Sequence, residues 1–270
     1  MNNFWTRFVY GTLYVAAVLT AVVWHFYLFV VLFSLFLAGS TYEAWKLRKM
    51  KGWVGLEIVV LIGFFVILSL ILFDELSGWW IVLPFASLIL SLIKDFQHKG
   101  RGFRYTLSLF NAIVYPGVGF AAMVFLLFHP LSDYHFSNYL FLALLIIVWV
   151  NDTFAYLSGM VMGKHKIFPQ VSPKKTWEGT IGGFIFALGA GIVFAVFFDD
   201  LSIAAWLIYA AIVSIGAVGG DYLESWLKRR AQVKDSGNFL PGHGGALDRL
   251  DSVLISAPLA WFYVLLLSFI

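Results

Sequence analysis

Apolar runs of about twenty residues, the length a helix needs to cross a hydrocarbon layer, recur along the whole chain. They fall at roughly 8–24, 27–45, 54–73, 79–93, 104–128, 138–160, 180–198, 202–226 and 252–269. Strands of alternating apolar and polar residues, as a membrane barrel would need, are not part of this pattern. The expected fold is therefore all-α: an integral membrane protein, a polytopic helical bundle of about nine transmembrane helices. Composition agrees, since only 12% of residues are charged and 61% are hydrophobic. The run at 79–93 is short for a crossing and is expected to be tilted or shielded by neighbours. With no cysteine in the chain, disulfides and thiolate metal sites are excluded. The segment after Met1–Arg7 stays apolar with no small-residue cleavage site, so it is read as a retained first span and not a removable signal.

Charge placement sets the topology. All 18 lysines and arginines lie on one side of this succession. They occur at Arg7, in Lys46–Lys51, in Lys94–Arg104, in Lys164–Lys175 and in Lys228–Arg249. The intervening connections, around His25, Asp74–Glu75, Asp133 and Asp199–Asp200, hold none. The positive-inside rule then puts the N-terminus in the cytoplasm, and nine spans put Ile270 outside. Trp5, Trp45, Trp53, Trp79 and Trp80 fall near span ends, where indole rings anchor at the headgroup level. Polar connections of this size leave no room for a soluble domain.

The first five spans carry almost no ionisable residue in their interiors, and Glu43 and Glu57 sit near span ends. The later ones differ. Asp152 lies within an apolar run, where a carboxylate is expensive and marks function unless headgroup water solvates it. Asp221, Glu224, Ser225 and Lys228 stand at i, i+3, i+4 and i+7, a single helical stripe. Asp248 and Asp251 repeat the i, i+3 spacing where the ninth span begins, with Arg249 between them. Carboxylates at two water-accessible helix ends suit a hard divalent cation such as Mg²⁺, usually completed by substrate phosphates. Between the acids lie Arg229, Arg230, Lys234 and Asp235, then a glycine-rich loop with His243, Gly244 and Gly245. Bases beside a metal answer phosphate charge, and glycines let backbone N–H groups approach it. Arg230 is also explained by ordinary positive flanking of a span. A second basic loop, Ser172-Pro-Lys-Lys-Thr-Trp-Glu-Gly179, puts Lys174 and Lys175 at a helix N-terminus, an anion-attracting place, with Thr176 as its cap. His243 fits a general acid/base, a phosphate donor or a loop-ordering hydrogen bonder, and the sequence does not choose.

The run Ser225-Trp-Leu-Lys228-Arg229, then Lys234-Asp235-Ser-Gly237, then Leu240-Pro241-Gly-His243-Gly-Gly-Ala-Leu-Asp248-Arg249-Leu-Asp251 resembles the signature of the phosphatidate cytidylyltransferases. The Lys174–Lys175 loop and the Asn151-Asp152 span are similar to the second half of that family. Ala246 departs from it, since a larger aliphatic is usual there, and a packing adjustment is expected. The resemblance covers about residues 145–270. It implies Mg²⁺-dependent joining of CTP and phosphatidate into CDP-diacylglycerol and pyrophosphate for phospholipid synthesis. The expected location is the inner membrane of a bacterium, with the site facing the cytoplasm. It also implies the roles. Asp221 and Asp248 hold the metal, with Glu224, Asp251 and Asp152 as further ligands or support. Lys228, Arg229, Lys234 and Arg249 meet phosphate oxygens, and Lys174, Lys175, Ser225, Gly244 and Gly245 complete the phosphate binding. Asp235 orients Lys234 or holds the base or ribose. A monovalent cation such as K⁺ beside the Mg²⁺ is allowed by the resemblance. Residues 138–270 are read as the catalytic region, and residues 1–137 as scaffold and lipid-facing wall, with a homodimer contact among the options there. Membrane lipids are expected partners and nucleic acid is not.

Two other classes compete. A CTP-dependent lipid kinase, acting on a polyprenol or diacylglycerol, resembles this family at the metal site, but the signature around Lys234 and His243 favours cytidylyl transfer. A cation-coupled secondary transporter would use Asp152, Asp221 and Glu224 as relay groups. That reading predicts paired repeats with broken helices, and leaves the glycine–histidine loop unexplained.

Overall fold

A computed structural model describes residues 3–47, 54–72, 116–128, 138–239 and 244–269. The described helices are α1 (Asn3–Trp24), α2 (Phe26–Leu47), α3 (Val54–Leu72), α4 (Pro116–Leu127), α5 (Tyr139–Met162), α6 (Trp177–Phe197), α7 (Ile203–Ala231) and α8 (Leu247–Leu267). Five of them, α2, α5, α6, α7 and α8, are long and apolar enough to cross a membrane. The expected span at 79–93, the first part of that at 104–128, and His243 lie outside the described residues. One element departs from an all-helical chain: Lys166–Phe168 (β1) and Ser172–Thr176 (β2) pair as an antiparallel hairpin. It occupies the second basic loop, where no apolar alternation announces a strand.

Packing divides the chain into two compact units, one of residues 1–124 with 230–250, the other of 125–229 with 251–270. In the first, four phenylalanines form the centre. Phe29 and Phe33 on α2 stack at 4.4 Å, and Phe65 of α3 and Phe120 of α4 close the group edge-on at 5.9 Å. All four are almost wholly buried. The inward residues of α2, from Phe26 through Phe33 and Leu37 to Ala44, recur at the three- and four-residue spacing of one helical face.

The second unit is organised by Trp206 and Tyr209 of α7, both fully buried. Each polar end finds a backbone oxygen: Trp206 Nε1 donates to Phe198 at 3.3 Å, and the Tyr209 hydroxyl to Leu140 at 2.8 Å. In an apolar bundle such pairing removes the penalty of a lone polar group. Helices α5 and α6 meet through small residues, the packing that apolar surroundings favour because close backbones gain dispersion contact. A Cβ at Gly183 would lie 2.5 Å from the Asn151 carbonyl oxygen and 2.9 Å from the Ala155 Cβ. The opposite face of α6 is apolar and exposed at Ile181, Ile185, Val193 and Val196, a surface suited to lipid.

Gly183→Ala should therefore destabilise the chain by about 1–3 kcal/mol through overpacking. Gly189, on the same helix, has nothing within 4 Å of the same Cβ. Gly189→Ala should be neutral or stabilising by up to about 1 kcal/mol. Thermal unfolding of the two variants in detergent, followed by tryptophan fluorescence, checks the contrast.

Candidate active site

In the second unit the expected stripe forms on α7. The helix runs past 226 to Ala231 because Trp226 through Ala231 contains no glycine or proline. It stops at Gln232, whose φ of 62° is left-handed. The Ser225 hydroxyl donates to Asp221 Oδ1 at 3.1 Å. Lys228 forms an ion pair with Glu224 one turn earlier, and the Glu224 side chain is fully buried. A buried carboxylate needs a cation or hydrogen-bond donors beside it, and here the cation is Lys228.

The hairpin brings the second lysine of its loop to the same stripe. Lys175 on β2 pairs with Asp221. Two further contacts seat the hairpin on α7: Arg229 Nε donates to the Val171 carbonyl at 3.1 Å, and the Phe168 ring lies 4.1 Å from that of Tyr222. Its base is tied by Glu178 in the first turn of α6. That carboxylate accepts from the Lys164 and His165 amides at 3.0 and 3.2 Å, and from His165 Nδ1 at 2.6 Å. Thr176 caps α6 as expected, its hydroxyl accepting from the Gly179 amide at 3.2 Å. Lys174 is exposed on the same strand.

Two more carboxylates belong to this unit. Asp152 Oδ1 accepts from Asn151 Nδ2 at 3.1 Å, and the buried Asn151 carbonyl oxygen in turn accepts from the Ser214 hydroxyl at 2.6 Å. Holding both ends of the amide fixes which way Asn151 presents its N–H group to Asp152. Asp251 Oδ1 accepts from the Ser252 amide at 2.7 Å. The α7 backbone at Gly220 approaches that of Asp251 so closely that a Cβ there would overlap the Asp251 carbonyl oxygen. The charges acting on Asp251 are those of Asp221, Asp152 and Lys228. Acids from α5, α7 and α8 thus stand within electrostatic reach of one another. Among the described residues, no group of three or more His, Asp or Glu side chains is arranged to hold a metal ion. The donors are nonetheless hard carboxylate oxygens, the chemistry Mg²⁺ takes, with the lysine of the hairpin balancing Asp221.

The first unit holds the rest of the signature. Asp248 Oδ2 accepts from the amides of Ser236 and Gly245, at 2.9 and 2.8 Å. The amide of Gly245, expected at a phosphate, is therefore engaged inside its own loop. Gly244 has φ +84°, and a Cβ there would come within 2.6 Å of Asp248 Oδ2. Lys234 and Asp235 are exposed, and Arg249 Nε is buried with no hydrogen-bond partner among the described residues. Sequence reasoning passed over Glu43, which is 4% exposed. Its carboxylate accepts from the Ser236 hydroxyl at 2.7 Å, the Leu247 amide at 2.9 Å and the Ala246 amide at 3.1 Å. An acid on the inward face of an apolar helix was the available signal. Ala246 has its packing reason too: a Cβ on Gly39 of α2 would lie 2.9 Å from the Ala246 Cβ.

Thr176→Ala should lower stability by about 1 kcal/mol, the usual worth of a helix cap, and Thr176→Ser should restore most of it. Unfolding temperatures in detergent measure both.

The chain is similar to known proteins. The model of the cytidylyltransferase family matches residues 5–267. The phosphatidate cytidylyltransferase of Staphylococcus haemolyticus is 45% identical over 151 residues, 55% of this chain and 55% of that protein. Staphylococcus aureus has one that is 41% identical over 150 residues, with the same coverage. The chain thus spans about half the length of these staphylococcal relatives. That of Haemophilus influenzae is 35% identical over 206 residues, 74% of this chain and 70% of the relative. With a family match along almost its whole length, the chain belongs to the cytidylyltransferase family.

Proposed function

We propose that this chain transfers a cytidylyl group from CTP to phosphatidate, giving CDP-diacylglycerol and pyrophosphate at the cytoplasmic face of a bacterial inner membrane. The observation that carries the reading is the acid–base stripe of α7, with Asp221 joined by Lys175 of the hairpin and Glu224 by Lys228. Carboxylates for a divalent cation and ammonium groups for phosphate are what a nucleotide triphosphate and a phospholipid headgroup require together. The names of the relatives and the signature from Ser225 to Asp251 support the same substrates.

In the proposed reaction an oxygen of the phosphatidate phosphate attacks the α-phosphorus of CTP. The bond from that phosphorus to the bridging oxygen of the β-phosphate breaks, and pyrophosphate leaves with the bonding electrons. A phosphate monoester is already largely dianionic near neutral pH, so no strong base is needed to generate the nucleophile. The work of the chain is positioning and neutralisation of charge. Lys175 and Lys228, released from or shared with their carboxylates, contact phosphate oxygens. Arg249, whose buried Nε has no hydrogen-bond partner among the described residues, is a further phosphate donor that the resemblance implies. Mg²⁺, when bound, supplies charge neutralisation at the phosphates. Within the second unit Asp221 would hold it, with Asp152, Glu224 and Asp251 in support, and the resemblance implies Asp248 as a second ligand. Asn151, pinned by Ser214, keeps the Asp152 carboxylate oriented.

Purified full-length chain with phosphatidate, Mg²⁺ and CTP labelled at either the α- or the γ-phosphate tests this. Label from the α position should enter the lipid and label from the γ position should leave as pyrophosphate. Transfer of the γ label to lipid would instead establish a lipid kinase. Asp221→Asn should lower turnover by about a hundredfold or more while the protein still folds.

A further inference from the structure

Glu43 has no part in the reaction as written above, yet its buried carboxylate accepts three hydrogen bonds. A carboxylate in apolar surroundings persists as an anion only where donors replace its water. Every donor to Glu43 recorded above comes from one segment, Ser236 to Leu247. Two of them are the amides of Ala246 and Leu247 at the start of α8, where unsatisfied N–H groups concentrate positive potential. The sequence just before α8 is Gly245-Ala246, which supplies no side chain of the kind that caps a helix. Glu43 provides that cap from a helix 203 residues away.

The loop is shaped around this carboxylate. A Cβ on Gly237 would overlap Glu43 Oε1, and a Cβ on Gly245 would overlap Glu43 Oε2. Two signature glycines therefore have a packing reason that is independent of any phosphate. The same face of α2 continues the contact, with Gly39 against Ala246 and the Phe36 ring 5.6 Å from that of Phe239. Ser236 joins both acids: its hydroxyl donates to Glu43 and its amide to Asp248.

We propose that Glu43 is a positioning residue for the transfer reaction, holding Ser236 and the first turn of α8 so that Asp248 and Arg249 are correctly placed. The assignment rests on the cytidylyl-transfer reading. Both of its oxygens already accept hydrogen bonds in a buried setting, so Glu43 acts through the loop and not on the substrate.

Glu43→Gln is the informative variant. It keeps the shape, and its amide oxygen can still accept from Ser236 and Leu247, but its NH₂ then faces the Ala246 N–H. In the full chain in detergent, kcat/KM for CTP should fall about tenfold or more, the scale expected for hydrogen bonds to a charged group. Amide exchange should quicken in 236–248 and stay unchanged in Tyr139–Met162. Ser236→Ala should lower activity in the same direction, and the double variant should lose less than the product of the single losses. A folded Glu43→Gln chain with wild-type kcat/KM overturns the proposal, leaving Glu43 a stabilising cap only. Reduced activity with unchanged exchange in 236–248 overturns it equally. If Glu43→Gln does not fold, Ser236→Ala decides by the same two readouts. Should the wild type make no CDP-diacylglycerol, the transfer reading fails, and the exchange comparison alone decides whether Glu43 holds the loop.

Discussion

A carboxylate taken into an apolar bundle must be met by cations or by hydrogen-bond donors, and this requirement organises the polar parts of the chain. Desolvation of an ionised acid is unfavourable by several kcal/mol, more than the packing of any single side chain returns. Each buried acid therefore brings a partner segment with it. Glu224 brings Lys228 and Glu43 brings the loop before α8, while the half-buried Asp221 brings the hairpin lysine. Secondary structure follows from the same need. The hairpin is short, and the contacts that seat it on α7 are Arg229 to Val171, Lys175 to Asp221 and one ring contact.

The two kinds of partner have different chemical consequences. A lysine paired to a carboxylate can exchange that partner for a phosphate oxygen, because both are anionic acceptors. The pairs on α7 are thus suited to a site whose occupant carries several negative charges. Backbone amides bound to a carboxylate have no such freedom, since moving them means moving the chain. Glu43 and Asp248 hold amides, which makes the loop they bind a fixed feature, whereas the lysines of α7 and the hairpin form the adjustable one.

How much of this could be read beforehand follows from the range of the interactions. The helices come from local periodicity and hydropathy, so α2, α5, α6 and α7 lie close to where the apolar runs put them. The stripe from Asp221 to Lys228 lies within two turns of one helix, so its spacing alone predicts that the side chains meet. The cap on α6 was legible for the same reason, since Thr176 is three residues from the amide it binds. The start of α8 was legible in part. Apolar periodicity put the span at 252, and the i, i+3 pair Asp248 and Asp251 marked a helix start ahead of it; the helix begins at Leu247. The Glu43 carboxylate that accepts from the Leu247 amide comes from α2 and has no local signal. The hairpin was missed for a related reason: Ser172–Thr176 reads as a basic loop, and its strand geometry depends on Glu178 and α7.

The glycines show how one signature serves two physical requirements. Read alone, a Gly-His-Gly-Gly run suggests backbone amides opened toward phosphate. In the structure, Gly245 gives its amide to Asp248 and yields space to Glu43, while Gly244 takes a left-handed φ beside the Asp248 carboxylate. A side chain at either place would collide with an acid before it met a substrate. The glycine requirement at 237, 244 and 245 is thus imposed first by the two carboxylates that set the loop. Whatever the loop does for a nucleotide is done by a backbone already held from α2.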